Sequence, residues 1–430
     1  MSRTFASLAI RNYRLFFCGA IVSNIGTWMG RVAQDWLVLT QLTAHSSTAL
    51  GTVTSLQFLP FLLFAPWTGV VADRFPKRRI LLITQSVMAL GFGLNAVLVI
   101  NGTVQLWMVY LLALLTGCAT AFDNPARQAF VSEMVGQDNV ANAVGLNSAS
   151  FNFGRLVGPG AAGLVIAWVG VGPAMAFNGI SFAFVLAALL LMDPRKLMPA
   201  PLATGRGRLR EGLAYVRGRP DLLVILFLVF VLGTFGMNFQ IANAVMATKE
   251  FGKGPTEYGV LGSVMAIGSL SAALMTARRR RPQMRLLFVS LAGFTVTTLA
   301  LALAPGYVLF AVLLVPVGLC AMTAMTVANT MAQLTVDPAM RGRVMGLYMT
   351  IFIGGTPIGS PIVGWVGDTL GPRWTILVGT IGVGLALAAV AIRLTRHDNL
   401  RVKIDLHEQG WLRVTRPEPP LPVAEAEVVR

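Results

Sequence analysis

Four glycines in the first half of the chain, Gly145, Gly154, Gly158 and Gly163, return 201 residues later as Gly346, Gly355, Gly359 and Gly364. Leu146 and Leu347 keep the same register, and both sets lie in long apolar stretches, 144–167 and 344–367. Four coincidences at one offset mean that the chain repeats one helical plan. Small residues at this spacing let helices approach closely in lipid, where close packing takes over from the hydrophobic drive.

The solvent for that plan follows from composition. Of 430 residues, 55% are hydrophobic and 12% charged, with mean hydropathy +0.69. A soluble domain carries roughly 25% charged residues. A spanning helix needs about 20 apolar residues. Twelve segments qualify, near 15–40, 49–71, 80–100, 104–122, 143–167, 174–192, 221–246, 256–277, 286–304, 307–332, 344–367 and 373–393. Backbone groups in lipid must be satisfied within their own segment or a closed barrel, and segments this long are helices. The expected fold is an all-α membrane protein, twelve transmembrane helices in two pseudosymmetric six-helix bundles.

The N-terminal stretch has Arg3, Arg11 and Arg14 before a full-length apolar segment that contains Asp35. It reads as a first membrane helix and not as a cleaved signal. Cys18, Cys118 and Cys320 all fall inside membrane segments, so no disulfide framework is expected.

A net charge of +16 would suggest nucleic acid in a soluble protein. Here its distribution decides. With the N-terminus placed inside, 29 Lys and Arg residues fall in cytoplasmic pieces and 3 (Lys249, Lys253, Arg373) in outer loops. That asymmetry is the positive-inside rule. Nucleic acid is excluded as a partner, the bilayer takes its place, and both termini are expected in the cytoplasm.

The longest internal break, 193–220, is rich in Pro, Gly and Arg and has linker composition, with a short amphipathic piece near 209–216. It divides an N-terminal bundle (1–192) from a C-terminal bundle (221–395), and a polar tail (396–430) follows. No enzyme signature is present. There is no Walker Gly-x4-Gly-Lys-Ser/Thr, no Gly-x-Ser-x-Gly, and His45, His397 and His407 have no metal-ligand spacing. No cofactor or metal is expected.

Three ionisable groups lie inside the apolar spans. Asn24, Trp28, Arg31 and Asp35 follow spacing 4, 3, 4 and share one face of the first span, and Arg155 lies in mid-fifth span, three residues after Asn152. A charge at helix centre costs about 2.5–3.5 kcal/mol on the insertion scale, so such groups pair or line water. Arg31 and Asp35, one turn apart, can pair directly; Arg155 then needs Asp35 or a ligand. These three are the candidates for proton coupling, against the plainer reading of a bundle-stabilising ion pair. Asn24, Trp28, Gln34 and Asn152, with neutral counterparts Asn238, Asn243 and Asn329 in the second half, are the candidate substrate cavity. Asp123 and Arg127, at the end of the fourth span, read as a surface pair.

Two motifs resemble those of a known family. Gly69-Val-Val-Ala-Asp73-Arg74-Phe75-Pro76-Lys77-Arg78-Arg79, between the second and third spans, resembles the signature loop of the major facilitator superfamily, with Pro76 where that family usually has Gly. Gly145-x8-Gly154-x3-Gly158-Pro159-x2-Ala162-Gly163 resembles its antiporter signature, with Ala162 replacing one Gly. Residues 27–37 and 121–130 are similar to the enterobactin-exporter-like, transmembrane secretion effector branch. The resemblance implies the major facilitator fold and a cytoplasmic latch made by Gly69, Asp73, Arg74 and Arg78. The plainer reading of that loop is cations anchored on anionic lipid. For the glycine motif it is close packing without directional meaning.

The function so implied is proton-coupled export of an amphipathic small molecule, a drug or siderophore, by alternating access at the bacterial inner membrane. Function as a monomer is expected. Import or lysophospholipid movement by the same fold stays open, as does a non-transporting sensor or scaffold.

Overall fold

The computed structural model describes residues 3–198, 209–277, 283–338, 340–397, 401–404 and 412–415. By continuity its helices form twelve rods. The first six are α1 (Arg11–Leu37) with a π-helical turn (Val38–Leu42), α2 (Ser47–Leu63) with α3 (Ala65–Arg74), α4 (Lys77–Ile100), α5 (Leu106–Val135), α6 (Val140–Val169) and α7 (Val171–Leu191). A short α8 (Leu209–Arg217) lies where the linker suggested an amphipathic piece. The seventh rod runs through α9 (Pro220–Val231), a π-helical turn (Leu232–Gly236), α10 (Phe239–Val245) and another π-helical turn (Met246–Glu250). Then come α11 (Pro255–Ala277), α12 (Met284–Ala302), α13 (Tyr307–Thr335), α14 (Arg341–Gly354) with α15 (Thr356–Thr369), and α16 (Trp374–His397).

Among the described residues, nine helical stretches are long and apolar enough to cross a membrane, and the bent α2–α3 pair makes a tenth. The two remaining long rods are α1 and α6, with 27 and 30 residues. They carry Arg31, Asp35 and Arg155, and their polar faces lower their hydropathy. The outward surface agrees with a lipid solvent. Leu90, Trp168, Val296 and Val308 are 73%, 83%, 67% and 74% exposed. Exposed apolar patches of that kind mark a membrane or partner surface and not a protein in water.

Three rods are broken, each for a visible cause. Between α2 and α3 the axis turns by 62°. Pro60 inside α2 and Pro66 in the first turn of α3 remove two amide donors around Phe64, whose carbonyl begins the next helix by accepting from Trp67 and Thr68. The seventh rod widens at Gly233 and Gly236 and breaks at Met237 and Asn238. The eleventh breaks at Gly354 and Gly355, with Pro357 restarting it. Irregular backbone at membrane depth is tolerated where it is buried in protein or lines a cavity. Elsewhere the turns are tight: Gly136 and Gly170 end α5 and α6 at φ of 70° and 90°, angles that a side chain would resist.

The repeated glycines explain how the rods lock. A methyl at Gly154 would lie 2.9 Å from Asn24 Cβ, and one at Gly158 would lie 2.5 Å from Trp28 Cβ, so these two seat α1 against α6. Their counterparts Gly355 and Gly359 meet Thr234, and so seat the seventh rod against the eleventh in the same way. The last pair reaches across the repeat: Gly163 meets Pro255 and Thr256 of α11, and Gly364 meets Ser47 and Thr48 of α2. Thus α6 packs on α11 and α15 on α2 at backbone contact, joining the first six rods to the last six. Gly145 and Gly346, in contrast, face open space.

Two short strands are described beyond α16. Arg401–Ile404 (β1) pairs antiparallel with Leu412–Thr415 (β2), Arg401 opposite Thr415. The rest of 398–430, residues 199–208 of the linker and residues 278–282 lie outside the described residues.

Gly158→Ala should therefore lower unfolding stability in detergent by about 1–3 kcal/mol, the range for overpacking. Gly145→Ala should leave it unchanged or slightly higher. Thermal melts of the two purified variants check the pair.

Candidate functional site

Along the face of α1 that carries Asn24, Trp28, Arg31 and Asp35, the first two lie against α6 and only Asp35 reaches the second set of rods. Asp35 is 2% exposed. Its Oδ2 accepts from Gln240 Nε2 at 2.8 Å and from Tyr258 Oη at 2.8 Å. Both donors belong to the last six rods, Gln240 on α10 and Tyr258 on α11. Trp36, next along α1, stacks on Tyr258 with ring centroids 6.3 Å apart and planes 21° apart. One carboxylate thus ties the repeats together at membrane depth. Hydrogen bonds to a charged group contribute about 1.5–3 kcal/mol each.

Arg31 does not form the direct pair with Asp35 that its spacing allows; no ion pair involves it among the described residues. Asp35 is taken up by the opposite set of rods, and Arg31 turns to aromatic rings. Its guanidinium lies 5.0 Å from the Trp28 centroid and 5.8 Å from that of Phe58 on α2. Arg155 reaches the same ring from α6, 5.8 Å from the Trp28 centroid. Phe151, one turn before Arg155, meets Trp28 edge-on at 5.8 Å. Arg31, Arg155 and Trp28 therefore form one cluster, and Asp35 belongs to another.

The remaining cavity candidates divide. Asn24 donates to Ser150 Oγ at 2.9 Å, and Asn152 to the Ser148 carbonyl at 2.9 Å, so both hold their own half together. Gln34 is buried beside Asp35. Asn238 donates to the Thr234 carbonyl at 2.7 Å and accepts from Ser360 Oγ at 2.9 Å, bracing the break in the seventh rod. It borders a small space with Phe235, Phe294, Thr298, Thr375 and Gly379, inside the last six rods. Asn329 accepts from Gln333 at 2.6 Å on its own helix. Asn243 is buried, with an oxygen that finds no donor. Gln240, between these two asparagines of the seventh rod, and Tyr258 escaped the sequence reading. A neutral amide or phenol in an apolar span carries little signal until its partner is known.

At one end of the molecule the repeats are clasped. Asp368, closing α15, accepts from the backbone N–H of Ser47 and Thr48, both at 2.8 Å, and from Ser46 Oγ at 2.9 Å. It also pairs with Lys249 at 3.1 Å. A carboxylate of the second repeat thus caps the α2 N-terminus of the first, where orphan amides and the helix dipole favour negative charge. The spacing Gly69-x3-Asp73 recurs here as Gly364-x3-Asp368, a signal that was open to the sequence. At the other end, Gly69, Asp73 and Arg74 are exposed, and among the described residues nothing lies within 4 Å of a methyl placed on Gly69. Among the described residues Asp73 has no ion pair with the second repeat. Arg78 instead donates to the Leu189 carbonyl at 2.8 Å, within its own half.

A buried polar cluster between α4 and α5 corrects the surface-pair reading of Asp123 and Arg127. Asp123 is 2% exposed. It accepts from Thr84 and Gln85, both at 2.7 Å, and from Arg127 at 2.8 Å. Lys77 of α4 and Glu133 of α5, also buried, pair at 3.2 Å. These contacts join the two helices that follow the loop.

A family model described as transmembrane secretion effector matches residues 2–412. The staphyloferrin A transporter of Staphylococcus aureus is 24% identical over 412 residues, covering 92% of this chain and 98% of the relative. The multidrug efflux pump Tap of Mycolicibacterium fortuitum is 28% identical, with 89% and 95% covered. The enterobactin exporter EntS of Shigella flexneri is 25% identical, with 89% and 92% covered. Among solved structures, the nucleoside transporter NupG superposes with TM-score 0.68 at 15% identity, covering 90% of this chain and 99% of that one. A D-xylose–proton symporter superposes with TM-score 0.65 at 16% identity, covering 89% and 96%.

Two variants test the clasp geometry. In a cysteine-free background with Thr256→Cys as reporter beside Gly163, Asp368→Ala should raise labelling by an impermeant maleimide about tenfold, the effect of roughly 1.4 kcal/mol. Tyr258→Phe should raise it in the same direction, because Asp35 then keeps one donor of two. Labelling rates in membrane vesicles check both.

Proposed function

Because the chain belongs to the transmembrane secretion effector family of major facilitator transporters, we propose that it exports an amphipathic small molecule by alternating access, coupled to proton entry. The chain is a multi-pass membrane transporter and not an enzyme. Export is the reading favoured by the multidrug and enterobactin relatives and by the glycine motif of α6. The split of 29 Lys and Arg residues against 3 assigns the Asp73 end to the cytoplasm and the Asp368 end to the outside. The arrangement described is then closed outside, with the inner latch at Asp73 disengaged.

The observation that carries the coupling is Asp35 gripped by Gln240 and Tyr258 of the opposite repeat. While Asp35 is a carboxylate, opening the outer side breaks two charge-assisted hydrogen bonds. The empty, deprotonated carrier is therefore held inward, and it does not cycle without cargo. Cargo arriving from the cytoplasm offsets that cost by its own contacts, and the outer side opens. A proton from outside then neutralises Asp35 while its donors are withdrawn, so that the outward state no longer bears the loss of two charge-assisted bonds, and the proton rides inward as the carrier resets. Moving one charge through about 100 mV supplies roughly 2.3 kcal/mol for each cycle. Asp368 and Asp73 serve as the end clamps: one caps α2 in the inward state, the other latches the cytoplasmic loop in the outward state. The transporter acts as a monomer at the inner membrane.

In proteoliposomes, Asp35→Asn should abolish uphill efflux on an imposed pH gradient while leaving downhill exchange of the same cargo measurable. Uphill efflux at the wild-type rate in that variant contradicts proton coupling through Asp35. The cargo to use is whichever compound a susceptibility panel of drugs and siderophores identifies, comparing deletion with overexpression.

A further inference from the structure

The geometry points to an anionic cargo: a carboxylate, phosphate or acidic phenol on an apolar body, held between Arg31 and Arg155 against Trp28. The inference rests on the export reading and names the chemical class that its central site selects. Two guanidinium groups crowd one indole ring, at 5.0 and 5.8 Å from its centroid. Neither has an acid or a hydrogen-bond acceptor among the described residues, although each carries five N–H donors. The one nearby carboxylate, Asp35, already accepts from Gln240 and Tyr258 and makes no direct pair with either cation; its charge one turn away offsets that of Arg31 only in part.

Trp28 and Phe58 compensate Arg31 in part, but a ring face offers no lone pair, so the N–H donors of the guanidinium stay without acceptors. Two such groups, reaching one ring from α1 and α6, can together meet a planar or tetrahedral anion, a task in which arginine surpasses lysine. Like charges this close in a low-dielectric interior repel, and an anion between them reverses the sign of that interaction. The rest of the cluster is apolar: Phe58 and Phe151 flank Trp28. An acid with an aromatic or acyl body fits these surroundings, and a cation does not. An anionic cargo also draws on the membrane potential directly, since each negative charge leaving a negative interior gains about fifty-fold in gradient per 100 mV.

The test uses the purified full-length protein in nanodiscs and four probes: 2-naphthoate, its neutral methyl ester, cationic 2-naphthylmethylammonium, and lysophosphatidylglycerol. Binding is read by calorimetry. Naphthoate, lysophosphatidylglycerol or both should bind at least tenfold more tightly than the ester and the cation, and which of the two binds separates a free acid from a lipid headgroup. Arg31→Gln and Arg155→Gln should each weaken the anion tenfold or more, and Arg155→Lys should recover part of the loss. Without ligand, the two Gln variants should melt at or above the wild-type temperature, since each removes an unpaired cation; a structural role for either arginine would lower it. Binding of the cation or ester as tightly as the anion, anion binding unchanged by both Gln substitutions, or no probe bound at all overturns the assignment. Failure of the export reading looks different: naphthoate binds as described, yet no cargo leaves proteoliposomes under any gradient.

Discussion

A single carboxylate at membrane depth, shared between two halves of a duplicated bundle, sets the terms for everything else in this molecule. Asp35 stands on α1, and both its hydrogen-bond donors stand on the opposite repeat. In lipid an ionised side chain is costly, and it is kept where partners, water or a ligand meet it. The partners are therefore also a restraint: the seam between the repeats cannot open there while the charge persists. A side chain that can lose its charge thereby becomes a means of releasing that restraint.

Around this bond the packing divides into contacts within each repeat and contacts between the two. Gly154 and Gly158 fix α1 to α6 within the first repeat, and Gly355 and Gly359 fix the seventh rod to the eleventh within the second. The cross-repeat contacts, Gly163 on Pro255 and Gly364 on Ser47, sit at the end where Asp368 caps α2. Caps and backbone contacts of this kind are directional and short-ranged, so they favour two discrete arrangements over a continuum. The bend at Phe64 and the breaks at Asn238 and Gly355 lie in the second, seventh and eleventh rods, all of which take part in contacts between the repeats.

Much of the fold was legible in the sequence because its signals are local. Hydropathy marks ten of the rods, and the glycine offset exposes the repeat before any helix is placed. The two rods that a strict hydropathy window undervalues, α1 and α6, still show in the sequence as apolar stretches, near 15–40 and 143–167. What sequence missed is tertiary. The 4, 3, 4 spacing puts Arg31 one turn from Asp35 and invites a pair, but nothing local says that Tyr258, 223 residues away, holds the carboxylate. Asp123 was read as a surface residue because it lies near a helix end, whereas Thr84 and Gln85 of α4 enclose it. The recurrence of Gly-x3-Asp at Gly364–Asp368 was visible but lies at the end of an apolar span, away from the loop where an inner latch would be sought.

The most direct test of the central claim is a distance across the end that Asp368 clasps. Spin labels at Thr103→Cys and Pro305→Cys, both exposed in loops of opposite repeats, would report opening there by pulsed electron resonance. In an otherwise wild-type background the account predicts a short distance at alkaline pH that lengthens on acidification, and a long distance at every pH when Asp35→Asn is added. Distributions that do not move with pH, and are the same with and without Asp35, would contradict it.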